Sequence, residues 1–128
     1  MISQRSSQQE RRKHPRIIKN IPIKIFQEDG DIVTQTGNIS RSGVYCRVNR
    51  RIEPMTKLKV SLLLPLRKNG KNVTKKISCQ GIVVRTEAID AEKGYHIAIF
   101  FNDITHRDAD IIADYVSSYL EQESQAPK

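Results

Sequence analysis

Leu58, Val60, Leu62 and Leu64 recur at every second position, and that period constrains the fold more than any other feature of the chain. Side chains two apart share one face of a strand, whereas on a helix they diverge by roughly 200°. The same alternation begins earlier, with Ile21, Ile23 and Ile25 on one face and Lys24 on the other. It predicts strands over 17–27, 32–39, 44–48, 57–64, 73–86 and 95–101. Glu28, Asp29, Gly30 and Asp31 read as a hairpin turn, because Gly after Asp suits positive φ. Residues 40–43 break the second strand from the third, Pro65 is expected to end the fourth, and 67–71 is a polar loop containing Gly70. A charged turn at 91–94 precedes the last strand. Only then does the period change. Ile111, Ile112, Tyr115, Val116, Tyr119 and Leu120 recur in pairs four apart, the apolar stripe of a helix. Thr105 followed by Asp108 resembles a capping box, with Asp in place of Glu, and marks the helix start. The expectation is an all-β fold: a six-stranded antiparallel β-barrel with a C-terminal α-helix packed over an open side or end.

A chain of 128 residues has room for one such domain. Residues 1–9 are polar and aperiodic and are expected to be a disordered tail; 10–122 form the domain, and 123–128 a second disordered tail. No stretch approaches the roughly 20 continuous apolar residues that a membrane span requires. The N-terminus lacks the apolar core of a signal peptide, so the expected location is the cytoplasm, without membrane insertion. The 22 Lys plus Arg exceed the 14 Asp plus Glu by 8, an excess that favours anionic partners. Cys46 and Cys79 have no Cys or His neighbours at zinc-ligand spacing and read as small, buried, reduced residues in strands. No metal site is expected. His14 and His96 each stand apart from any Ser, Cys or carboxylate arrangement that would make a triad, His106 in the first helical turn is expected to face solvent, and no P-loop or dinucleotide fingerprint is present. Neither a catalytic residue nor a cofactor is assigned, and the chain reads as non-enzymatic.

Two short segments depart from the barrel pattern. The first is Arg11-Arg12-Lys13-His14-Pro15-Arg16, just ahead of the first strand. Pro15 excludes a regular helix and pushes His14 toward an extended conformation, so Arg12 and Arg16 sit on a bent arm. The second is Asn38-Ile39-Ser40-Arg41-Ser42-Gly43, where alternation puts Asn38 and Ser40 on one face. Gly43 permits either positive φ or close approach of another group to the backbone. Each segment alone reads as a solvated basic arm or a polar turn. Together, in this order and one hairpin apart, they resemble the PilZ domain, with its Arg-x-x-x-Arg and Asp/Asn-x-Ser-x-x-Gly motifs. Arg12 and Arg16 match the first motif, and Asn38, Ser40 and Gly43 match the second. Supporting similarity runs through Gly81-Ile82-Val83-Val84-Arg85 and from Gly94 to Phe101.

The resemblance implies a PilZ-like split barrel and a receptor for cyclic di-GMP. The residue types suit that ligand. A guanidinium fork donates two parallel hydrogen bonds to guanine O6 and N7, and the same planar cation stacks on purines or pairs with phosphate. Asn38 supplies an acceptor for guanine N–H groups, and Ser40 a donor to phosphate or base. The family also implies that one or two ligand molecules are held, and Arg11, just ahead of the first motif arginine, is the residue expected to stack on a second. Arg85 lies where the family often has an aromatic residue and is included among the expected ligand contacts. Signal output is expected through a protein partner in motility, pilus, secretion or regulatory machinery. Two other readings are a basic barrel that binds single-stranded nucleic acid, and a ligand-independent protein adaptor. Against the first, aromatic residues make up only 5% of the chain and leave Tyr45 and Tyr95 as platforms; DNA is not an expected partner. Against the second, both motifs are present.

Overall fold

The computed structural model describes residues 14–90 and 93–125. Seven strands precede one helix: β1 (Arg16–Ile17), β2 (Pro22–Phe26), β3 (Ile32–Ser40), β4 (Gly43–Val48), β5 (Lys57–Lys68), β6 (Lys71–Asp90), β7 (Gly94–Asp103) and α1 (His106–Gln125). All pairings are antiparallel, in the order β1-β3-β2-β5-β6-β7-β4. A further β3–β4 pairing closes the sheet on itself. Closure removes the two free edges that an open sheet would expose, except where the long β5–β6 hairpin runs past its neighbours. The alternating residues turn inward as their period requires: Ile21, Ile23, Ile25, Val60, Leu62, Leu64, Ile77, Val83 and Ile97 are essentially inaccessible. Ile112, Tyr115 and Val116 add the stripe of α1 to the same core. The helix packs on β1 and β3. Thr105 caps it, its Oγ1 accepting from the Asp108 N–H at 3.1 Å. Lys19, between β1 and β2, lays its ammonium over the Tyr119 ring at 4.4 Å.

The barrel is the expected one, but several boundaries differ. The anticipated first strand over 17–27 is two strands, β1 and β2, both paired with the same side of β3. Their registers differ by one residue, because Arg16 faces Ser40 whereas Pro22 faces Gln35. The break is held by Thr36, whose side chain is fully buried. Its Oγ1 accepts from the Ile21 N–H at 2.9 Å and donates to the Lys19 carbonyl at 2.6 Å. Asn20 adds a bond from Nδ2 to the Thr36 carbonyl at 2.8 Å. Pro65 does not end β5, which runs on to Lys68. Beyond Leu62, β5 has β6 on one side only, so its N–H groups on the other side meet no strand and a proline is tolerated there. The expected loop at 67–71 is a tight hairpin instead, with Asn69 and Gly70 both at positive φ, 53° and 77°. That pair of angles matches the twist of the flanking strands. β6 likewise extends past the expected 73–86, and α1 continues through Gln125 into the expected tail at 123. The expected tail 1–9 lies outside the described residues.

Cys46 and Cys79 are free and buried in β4 and β6. Burial pushes both thiols up to about 12, with Asp108 and Asp103 adding to the effect at Cys79. At pH 8 the reactive thiolate is then roughly one part in ten thousand, so a disulfide-exchange reagent should modify neither cysteine until denaturant unfolds the barrel. Thr36→Val keeps the volume but removes the hydroxyl that joins Lys19 to Ile21. A urea titration should show a loss of about 1–3 kcal/mol, the cost of leaving buried backbone groups unpaired.

Candidate functional site

The register that Thr36 fixes also brings Arg16 beside the second motif. β1 lies beside the end of β3, so Arg16 pairs with Ser40; Ser40 pairs in turn with Gly43, and Gly43 with Phe100 of β7. Directly opposed residues of antiparallel strands share a face, so these four form one row across β1, β3, β4 and β7. A second row runs from Asn38 through Tyr45 and Ala98 to Arg85. Arg16, Asn38, Ser40 and Gly43 line a single depression of about 90 Å³, together with Ser42, Val84 and Phe100. Arg16 is exposed and forms no ion pair among the described residues.

Each motif residue has a distinct local reason for its place. Arg41 and Ser42 form a two-residue turn between β3 and β4. Ser40, only 2% exposed, holds that turn: its Oγ accepts from the Ser42 N–H at 3.2 Å and lies 3.3 Å from the Ser42 hydroxyl. Its hydroxyl therefore organises the turn as well as bordering the depression. Gly43 serves close approach rather than positive φ. A Cβ there would sit 2.2 Å from the Ile99 carbonyl oxygen, inside the β4–β7 pairing. Asn38 is half-buried beside a register shift between Thr36 and Asn38, which turns it outward next to Ser40's turn. Arg41 reaches out of the turn to α1, its Nη2 donating to Asp110 Oδ1 at 3.1 Å. Both side chains are too exposed for this pair to contribute more than about 1 kcal/mol. Its value is positional, since it links the motif turn to the helix.

Arg85 lies on the Asn38 row but three strands away, and does not line the depression. It is exposed and faces Glu87 at 3.7 Å. The register shift between Val83 and Arg85 brings Val84 to the depression instead. Val84 and Phe100 are 54% and 48% exposed, an apolar border that sequence reasoning did not single out. The signal was present in the run Gly81-Ile82-Val83-Val84, but only the bulge decides which residue faces out. Arg11 and Arg12 lie outside the described residues.

A larger hollow of about 620 Å³ opens at another part of the barrel and is lined by Arg47, Arg50, Arg51 and Lys93. Its guanidinium groups serve the protein's own loops. Arg50 donates to Gln27 Oε1 and the Gly30 carbonyl, Arg51 pairs with Glu53, and Arg47 donates to the Lys93 carbonyl. Of the two aromatic residues weighed as base platforms, Tyr45 packs against His96 at 5.1 Å and donates its hydroxyl to Glu87, and Tyr95 lines this hollow. Among the described residues no group of His, Cys, Asp or Glu could hold a metal ion, and no helix is long and apolar enough to cross a membrane.

Known structures share this fold. The chain resembles the structure of Bacillus subtilis inhibitor of motility (MotI/DgrA) with a TM-score of 0.75 at 18% identity, over 91% of this chain and 53% of that one. The chain thus spans about half the length of that protein. It also resembles the PilZ domain of CeSA from a cellulose-synthesizing bacterium, with a TM-score of 0.52 at 18% identity, over 83% of this chain and 98% of that one. No curated protein matches. The family model of the PilZ domain, in general a receptor for cyclic di-GMP and a binding or adaptor module without catalysis, matches residues 10–118, and the chain belongs to that family.

Proposed function

We propose that this chain is a non-enzymatic cyclic di-GMP receptor whose two motifs close on the ligand from opposite sides. The observation that carries this reading is the convergence of Arg16 with Asn38, Ser40 and Gly43, which begin 22 positions later in the chain, on one depression. At about 90 Å³ that depression is well below the roughly 300–1,000 Å³ of preformed small-molecule sites, so it seats only part of a dinucleotide. The remainder is covered by the arm. Arg12 precedes Arg16 by four residues, a chain length that spans at most about 14 Å. It therefore stays within reach of whatever Arg16 touches.

The roles follow from the side-chain chemistry. Arg12 and Arg16 grip guanine edges or phosphates, Asn38 accepts from guanine N–H groups, and Val84 and Phe100 give a base an apolar border. Ser40 contributes chiefly through the turn it holds. Arg11 stacks on a second ligand where two are bound, and Arg85 contacts the ligand only if the arm carries it across the sheet. Ordering the arm costs about 1–2 kcal/mol per residue, which the charge-assisted contacts offset. The ordered arm and the turn linked to α1 then present an altered face to a protein partner in motility, pilus, secretion or regulatory machinery. A cytoplasmic location fits that role.

Calorimetric titration with cyclic di-GMP tests the reading. Wild-type protein should bind saturably, and Arg12→Ala or Arg16→Ala should each weaken binding roughly ten- to a hundred-fold. A chain that ignores the nucleotide at millimolar concentration, or a double variant that binds like wild type, would sink it. The ligand-to-chain ratio, compared between wild type and Arg11→Ala, reports whether Arg11 holds a second molecule. Gly43→Ala should lower both affinity and melting temperature, losing about 1–3 kcal/mol as β4 and β7 are forced apart. Gly37→Ala is its control, because a Cβ at Gly37 meets the Tyr45 carbonyl at an ordinary 3.6 Å.

A further inference from the structure

The whole excess of positive charge resides in one hairpin. Residues 54–86 contain eight Lys and Arg and no Asp or Glu, while the rest of the chain holds 14 of each sign. These residues form nearly all of β5 and β6, the longest strands of the barrel. Apart from Arg85, none of the eight is in an ion pair among the described residues. Such a concentration is not needed for solubility, for which interspersed signs suffice.

The hairpin extends past the barrel, because β2 leaves β5 after Leu62. Between its far half and α1 runs a groove of about 490 Å³. Its floor is apolar, from Leu66 of β5 and Ile111, Tyr115 and Tyr119 of α1. Its rim is cationic, with Arg67, Lys68 and Lys75 on the hairpin and Arg107 on the helix, against Asp114 alone. Four consecutive residues of β5, 65–68, line it although successive side chains point to opposite faces. The strand therefore turns its unpaired edge toward the groove. An edge next to an apolar floor is the setting in which an extended segment adds to a sheet, with alternate side chains seated below.

We infer that this groove docks an extended acidic segment of a partner protein, with apolar residues at alternate positions. Charge complementarity selects the acidic residues, which meet Arg67, Lys68, Lys75 and Arg107; the floor selects the apolar ones. Nucleic acid fits less well: no aromatic side chain lies on the hairpin, and on the floor Tyr115 is buried and packed edge to face with Tyr119, whose ring Lys19 already covers, so neither offers a free face to stack a base. The groove is separate from the nucleotide depression, and its test is run without cyclic di-GMP, so failure of one reading leaves the other standing.

The probe is a fluorescein-labelled peptide of roughly ten residues, alternating Glu and Leu, a length that spans about 33 Å when extended. Its binding to the full chain is followed by fluorescence anisotropy, beside a counterpart with Ser for Leu and one with Lys for Glu. The alternating acidic peptide should bind saturably, and both counterparts should bind at least about tenfold more weakly. Lys68→Glu/Lys75→Glu should cost at least about tenfold, whereas Lys57→Glu/Lys59→Glu, the same change in net charge on the outer face, should cost far less. Ser118→Trp, which fills the groove from an exposed helix position without removing a core contact, should also abolish binding. Circular dichroism and melting curves verify that each variant is folded. The inference fails if the peptide does not bind, if the Ser-for-Leu peptide binds equally, or if the two charge reversals weaken binding alike. It fails too if oligodeoxythymidine or phosphatidylserine vesicles bind this face more tightly than the peptide.

Discussion

A single buried hydroxyl sets the geometry on which the rest depends. Thr36 accepts from Ile21 and donates to Lys19, so the chain ahead of β2 is pinned at the point where it leaves the regular ladder. A continuous strand over 17–27 would have kept one register along β3. The shift of one residue at the break decides that Arg16, rather than its neighbour, faces Ser40. Because side chains alternate, a slip by one would send the arginine inward and Ile17 out. The stitch is thus distinct from the depression in role but upstream of it in cause.

From there the site is assembled by cross-strand neighbours. Arg16, Ser40, Gly43 and Phe100 come from four strands, and only the closed order of the sheet makes them a row. Two of the motif positions serve the backbone first. Ser40 ties down the turn at 41–42, and Gly43 lets β7 approach. Arg41, between them, ties the same turn to Asp110 on α1. Residues just beyond Asp110 form one wall of the cationic groove, so a displacement of the turn has a short physical route to a second surface.

Much of this was legible from the chain alone. Alternation at Ile21 to Ile25 and at Leu58 to Leu64 specified strands, and the paired apolar residues from Ile111 specified the helix with Thr105 as its cap. The two motifs pointed to the family to which the chain belongs. What misled were signals that have a local meaning but a tertiary exception. Pro65 normally ends a strand, yet it sits where β5 has lost one neighbour and needs no donor on that side. The polar run 67–71 looked like a loop, but Asn69 and Gly70 alone make the turn and their neighbours continue the ladder. Arg85 does not line the depression, since a bulge hands the facing position to Val84.

The sequence by itself determined which residues are inside, which segments extend, and where the two motifs lie along the chain. Those are properties of period and residue type, and they are read one neighbour at a time. The tertiary structure decided the register at the Thr36 break, the bulge at Val84 and the groove between hairpin and helix. Each of these depends on where two remote segments meet, and a hydrogen bond or a steric limit between segments leaves no mark on the local pattern of either. The charge of 54–86 shows the division most clearly: its size is plain in the sequence, but that part of it rims an apolar groove is a fact of three-dimensional packing alone.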